Sequence, residues 1–158
     1  MEKQNNQPLT APEQEQAQEV VAKVFELLEI NGSFDLAVTE DGLDVMINAE
    51  DSGRIIGYHG EGLEALQLII SLIISRKIGR FVRTSVDIGD YKKNRTDYLK
   101  NLAEQVKDRA LREAKEQVVS SLKAWERRVV HMYLLDDADV VTESSGEGKD
   151  RVLIVRPR

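Results

Sequence analysis

The 158-residue chain contains no cysteine and only two histidines, His59 and His131. Without cysteine there is no disulfide, no thiol nucleophile and no thiolate metal site. The two histidines lie far apart, and the carboxylates are scattered among bases rather than paired, so neither a hydrolase triad nor a metal site assembles. The sequence therefore predicts a protein without catalytic residues, metal or cofactor. Long apolar runs are also missing: Leu66 to Ile74 is broken by Gln67 and Ser71, far short of the roughly 20 residues that cross a bilayer. The start, Met1-Glu2-Lys3-Gln4-Asn5-Asn6-Gln7, is polar and does not read as a signal peptide. Together these absences predict a cytoplasmic protein with no membrane insertion.

Positive charge is scarce in one segment and concentrated in the next. Residues 30–75 hold a single base, Arg54, against eight acids, whereas residues 76–131 hold fifteen Lys and Arg against eight acids. The net charge of −6 thus conceals a basic middle, which reads either as a confined electrostatic footprint or as ordinary solvated helices. Hydrophobic residues make up 41%, enough for one ordinary core or two small ones.

Residues 1–10 read as a disordered tail, being polar and aperiodic through residue 9. Thr10 and Glu13 have capping-box spacing, and Ala17, Val20, Val21, Val24 and Leu28 share a stripe, which predicts a helix over about 11–29 closed by Asn31-Gly32. Two alternating runs, Phe34-Leu36-Val38 and Leu43-Val45-Ile47, meet at Glu40-Asp41-Gly42, and Asp-Gly between such runs marks a hairpin. Asp51-Ser52 can cap a short helix bearing Arg54, Ile55 and Ile56. A longer helix carries Leu63, Leu66, Ile70, Ile73 and Ile74, and a third alternating run, Val82-Thr84-Val86-Ile88, ends at Gly89.

Between those two helices lies Gly57-Tyr58-His59-Gly60. Glycine permits positive φ and lets a ligand backbone come close, while the amides opening the next helix face outward at its positive end. That is a seat for phosphate, although a glycine pair alone is a weak signal. Arg54 is a phosphate contact or simply a solvated side chain. Tyr58 and His59 could stack on bases or ribose, or are exposed loop residues without a role. His59 supplies charge only when protonated. The order helix, strand, strand, helix, GxxG, helix, strand resembles a type II KH domain (αββααβ), whose GxxG loop clamps a short piece of single-stranded backbone. Relatives often carry Arg or Lys where this chain has Tyr58 and His59.

Asp90 marks the cap of a long helix over about 91–115, with Leu99, Leu102, Val106 and Ala110 buried. Lys93, Lys100 and Lys107 recur every seven residues near Lys92 and Arg95. The interleaved acids, with Asp108 and Arg112 four apart, leave intrahelical pairing open. A strand near Gln117–Ser121, a helix over Trp125–Leu135, and two runs around Val140-Val141-Thr142 and Val152-Leu153-Ile154-Val155 follow. Arg127 and His131 are four apart and project from one face, and with Arg128 they form a compact anchor for phosphate. The plain alternative is a structural His131 and an Arg127 paired with Glu126 or another acid. Trp125 reads as a core or interface residue more than as a stacking platform.

Trp125-Glu126-Arg127-Arg128-Val129-Val130-His131, followed by the glycine-containing loop Ser145-Gly146-Glu147-Gly148-Lys149, resembles the R-three-H (RxxxH) domain of the bacterial Jag family, also called KhpB or SpoIIIJ-associated proteins. A KH domain precedes it there. The resemblance covers about residues 11–158, with Ala124-Trp125 where many relatives have Pro-Tyr. Nothing before residue 11 resembles the additional N-terminal domain of many relatives, so functions carried there are expected to be absent. The resemblance implies an α+β chain of two small domains: type II KH over 11–89, and R-three-H over 90–158 as long helix, strand, helix and β-hairpin. It implies a non-enzymatic single-stranded RNA binder. Arg54, Gly57, Tyr58, His59 and Gly60 would contact one segment, and Arg127, Arg128, His131, Lys149 and Arg151 another. It further implies a bacterial regulator of transcripts for cell envelope growth and division, with a small KH-domain protein as partner. The residues leave RNA against single-stranded DNA open and name no surface for a homodimer. Read without the resemblance, the apolar faces and Trp125 also fit a protein-docking module.

Overall fold

The computed structural model describes residues 8–40 and 42–158, and it divides into two compact units, Met1–Tyr91 and Lys92–Arg158. Most of the expected tail and the turn residue Asp41 fall outside the described residues. Within them the tail expectation is corrected: Leu9 is buried in the core and its carbonyl accepts a hydrogen bond from Gln14 Nε2 at 3.0 Å.

The first unit runs α1 (Ala11–Leu27), β1 (Gly32–Thr39), β2 (Gly42–Ala49), α2 (Ser52–Ile56), α3 (Glu61–Ile78) and β3 (Thr84–Ile88). β2 is the central strand, antiparallel to β1 and parallel to β3. A parallel pair needs a crossover, which α2 and α3 supply. The two alternating runs pair in phase, Phe34 with Ile47, Leu36 with Val45 and Val38 with Leu43. Leu43, Val45 and Ile47, with half-buried Phe34 and Leu36, meet Val20, Val21 and Val24 of α1 and Leu66, Ile70 and Ile74 of α3 in one apolar core, while Val38 at the hairpin end stays exposed.

At the start of α1, Glu13 reaches back to the Thr10 backbone N–H (2.8 Å) and also receives the Arg80 guanidinium (3.0 and 3.1 Å). These donors, Arg80 first, hold the Glu13 carboxyl at about 2, below its ordinary 4.5. The helix stops two residues short of the expected end because Glu29 turns left-handed (φ 51°) and the Ile30 N–H returns to the Phe25 carbonyl. Gly32 opens β1 rather than closing the helix.

The second unit contains α4 (Tyr91–Glu113, starting at the last residue of the first unit), β4 (Gln117–Val119), α5 (Ala124–Tyr133), β5 (Val140–Ser145) and β6 (Val152–Pro157). The strands form an antiparallel sheet in the order β4-β6-β5. Leu99, Ala103 and Val106 of α4 pack with Val130 and Leu134 of α5 and with Val140, Leu153 and Val155 of the sheet. Ala103 takes the central place expected for Leu102, which is only partly buried. Asp90 has a left-handed backbone (φ 59°) rather than the extended one typical of an N-cap.

The ion pairs described for α4 lead outward rather than along the helix. Arg95 pairs with Glu126 at 2.8 Å, and Lys107 with Asp137 at 2.5 Å. The latter hydrogen bond raises the Lys107 pKa and lowers that of Asp137. No helix among the described residues is long and apolar enough to cross a membrane.

Candidate nucleic-acid interface

In the first unit, α2 ends at Gly57 (φ 70°), residues Tyr58–Gly60 form a 3-10 turn, and Gly60 (φ 80°) opens α3. Half-buried Ile55 and Ile56 tie the turn to the core. The two glycines have positive φ, but Gly60 also has a packing role: a Cβ there would lie 2.8 Å from the Tyr91 ring. Gly62 escaped sequence reasoning although it is equally constrained. A Cβ on it would lie 2.2 Å from the Ile55 carbonyl oxygen, so glycine lets the first turn of α3 press against α2.

Tyr58 is 70% exposed, and His59, with left-handed φ of 48°, lays its ring on the tyrosine at 4.1 Å and 10°. No Lys or Arg stands in the turn, and the first turn of α3 carries Glu61 and Glu64. Arg54 lines a cavity of about 370 Å³ with Leu28, Glu29, Asp51 and Ile69; none of residues 57–60 lines it.

In the second unit the WERRVVH segment is sorted by helical periodicity. Glu126 and Val130 face the core, and Trp125, Arg127, Arg128 and His131 line a surface cavity of about 460 Å³. Glu126 is fully buried, accepting from the Lys123 backbone N–H (2.8 Å) and from Arg95 Nε (2.8 Å). The alternative pairing of Arg127 with Glu126 is therefore not formed. Instead Arg127 Nη1 donates to the Leu122 carbonyl at 2.6 Å and approaches that of Arg151 at 3.4 Å, linking the loop before α5 to the start of β6. Trp125, expected in a core or an interface more than as a stacking platform, is 38% exposed on the cavity wall.

β5 completes the site through its alternation. Val140 enters the core, Thr142 Oγ1 holds His131 Nδ1 at 2.5 Å, and Ser144 lines the cavity. Thr142 and Ser144 were missed from sequence, although their two-residue spacing from buried Val140 is the signal that finds them. Ala124 and Arg151 complete the lining, which includes no carboxylate. Lys149 is exposed in the 3-10 turn Gly148–Asp150 and is not among the lining residues. Guanidinium groups, one imidazole and one indole suit phosphate and a planar base better than a neutral apolar ligand. Among the described residues, no three of His, Asp and Glu gather as a metal site.

The family model described as "KhpA/KhpB, KH domain" matches residues 15–88, and the model of the R-three-H domain matches residues 97–157. The chain is thus of the class in which a KH domain precedes an R-three-H domain. It is 30% identical over 146 residues to RNA-binding protein KhpB of Clostridium symbiosum, covering 90% of this chain and 65% of that protein. Identity to RNA-binding protein KhpB of Bacillus subtilis (strain 168) is 30% over 130 residues, covering 80% and 62%. For RNA-binding protein KhpB of Streptococcus pneumoniae serotype 2 it is 25% over 135 residues, covering 85% and 41%. The chain thus carries a KH domain of the KhpA/KhpB type followed by an R-three-H domain, and it spans less than two thirds of the length of these relatives.

Proposed function

We propose that this chain is a non-enzymatic, cytoplasmic binder of single-stranded RNA, anchored in the R-three-H cavity and contacted a second time by the GxxG turn. The observation that carries this reading is the cavity itself: Arg127, Arg128, Arg151, His131 and Trp125 converge with no carboxylate in the lining, on a chain of net charge −6. Arg128 and Arg151 fork onto phosphates, and the indole offers a face to a base. Two contacts on one chain raise the effective concentration of the second. The relatives' names, RNA-binding protein KhpB, support RNA as the ligand. The family resemblance alone supports transcripts for envelope growth and division as the targets.

Equilibrium binding of a fluorescent single-stranded RNA pool between 50 and 200 mM salt tests the reading. Each neutralised phosphate contributes about 0.7 to the slope of log affinity against log salt, so two to three contacts give a slope of roughly −1.4 to −2. A flat response or absent binding would overturn it. Single-stranded DNA of matching sequence decides the sugar preference.

One observation favours an added protein contact. Leu68, Ile69, Leu72 and Ile73 lie exposed along α3, with Glu61 at one end of the helix and Arg76 at the other. Antiparallel pairing of two such helices about a two-fold axis would bury the apolar stripe and set each Glu61 near the other copy's Arg76. We propose a second copy of this chain as the occupant. Leu72→Glu is expected to convert a dimer to a monomer in light scattering. A native monomer that instead takes up a small KH-domain protein would replace the homodimer with a heterodimer.

A further inference from the structure

We infer that the Tyr58–His59 pair is a preformed stacking platform through which the KH unit grips a nucleobase, so that this contact is driven by stacking rather than by charge. The inference rests on the single-stranded RNA reading above and adds what the turn recognises. Three observations converge on it. The rings are already parallel, 4.1 Å apart and within 10°, so little ordering remains when a base joins the stack. Tyr58 is 70% exposed, leaving ring surface open beyond the histidine.

The surroundings are poor for phosphate. The turn has no Lys or Arg, the adjoining turn of α3 carries Glu61 and Glu64, and Arg54 lines a cavity that residues 57–60 do not share. An anion brought to the α3 N-terminus would meet amides and carboxylates together, which largely cancels the attraction of the helix end. A neutral base pays no such penalty, and every base has a π-face, so the platform accepts bases with little sequence preference.

The backbone of His59 is left-handed. The stacked rings occur with this backbone conformation, which histidine tolerates better than a β-branched residue. Stacking depends weakly on salt and phosphate contacts depend on it strongly, so the two contacts separate experimentally.

The test uses the full chain and a single-stranded RNA carrying the fluorescent base 2-aminopurine, whose emission falls on stacking. The native chain is expected to quench it. Tyr58→Leu is expected to restore emission and to raise Kd roughly tenfold with an unchanged salt slope. Tyr58→Trp is expected to keep both quenching and affinity. An abasic ribose-phosphate strand should bind the native chain and Tyr58→Leu alike. Because Tyr58 is exposed, the variant should retain its fold, and circular dichroism checks this. RNA binding with unchanged quenching and Kd in Tyr58→Leu, or a lowered salt slope in that variant, would overturn the stacking platform alone. Failure of the native chain to bind any RNA would overturn the platform and the RNA reading together.

Discussion

Glu126→Ala is expected to lower the stability of the R-three-H unit by about 3–5 kcal/mol, the usual loss when one partner of a buried ion pair is removed. Glu126 is 0% exposed, and the Arg95 side chain retains only 14% of its accessible surface. Without the carboxylate, the guanidinium keeps a cation–π contact with Tyr98 at 4.9 Å and loses its charged acceptor. The Lys123 N–H at the start of α5 loses its acceptor as well. The chain's single tryptophan, Trp125, lies in this unit, so its fluorescence follows R-three-H unfolding without a tryptophan signal from the KH unit. In urea the midpoint should fall strongly with the slope nearly unchanged. Glu126→Gln should lose less, since the amide can still accept from the Lys123 N–H. A loss below about 1 kcal/mol in Glu126→Ala would show that the pair contributes little beyond its own desolvation.

Arg127→Ala and Arg128→Ala, adjacent in sequence, are expected to fail differently. Arg128 is exposed on the cavity wall, and its loss should cost about 1.5–3 kcal/mol of RNA affinity, the range for a hydrogen bond to a charged group. That is roughly a ten- to hundredfold rise in Kd, and the unfolding midpoint should hardly move. Arg127 spends hydrogen bonds on the Leu122 and Arg151 carbonyls. Its removal should lower both the midpoint and the affinity, because the start of β6 and the Arg151 it positions come loose together. Arg127→Lys should rescue only part of this, since an ammonium lacks the planar fork. Equal effects of the two alanine variants on stability would remove the structural role assigned to Arg127.

Much of this organisation is visible in the residues. The phase of Leu43, Val45 and Ile47 against Phe34, Leu36 and Val38 determines a hairpin register, because slipping it by one would expose the apolar set. The spacing of Arg127 and His131 fixes a shared helix face. What local pattern cannot give is the partner across the fold. Glu126 looks like a natural partner for Arg127 and is instead claimed by Arg95 from α4. Trp125 has the size of a core residue, but Glu126 and Val130 occupy the inward positions and leave it on the cavity wall. Gly60 reads as a turn residue and Gly62 carries no local signal, whereas the structure shows that the Tyr91 ring and the Ile55 carbonyl occupy the space a side chain would need. Leu9 illustrates the same limit, since a lone leucine in a polar stretch has no periodicity to betray its burial.

The most direct measurement is the salt dependence of single-stranded RNA binding by the native chain beside an Arg128→Ala/Arg151→Ala double variant, with circular dichroism confirming that both are folded. If the R-three-H cavity is the phosphate anchor, the native affinity falls as salt rises, and the double variant binds far more weakly with a slope shallower by roughly 1.4, about 0.7 for each lost phosphate. Native binding that ignores salt, or a double variant matching the native chain in both affinity and slope, would contradict an RNA anchor built from Arg128 and Arg151.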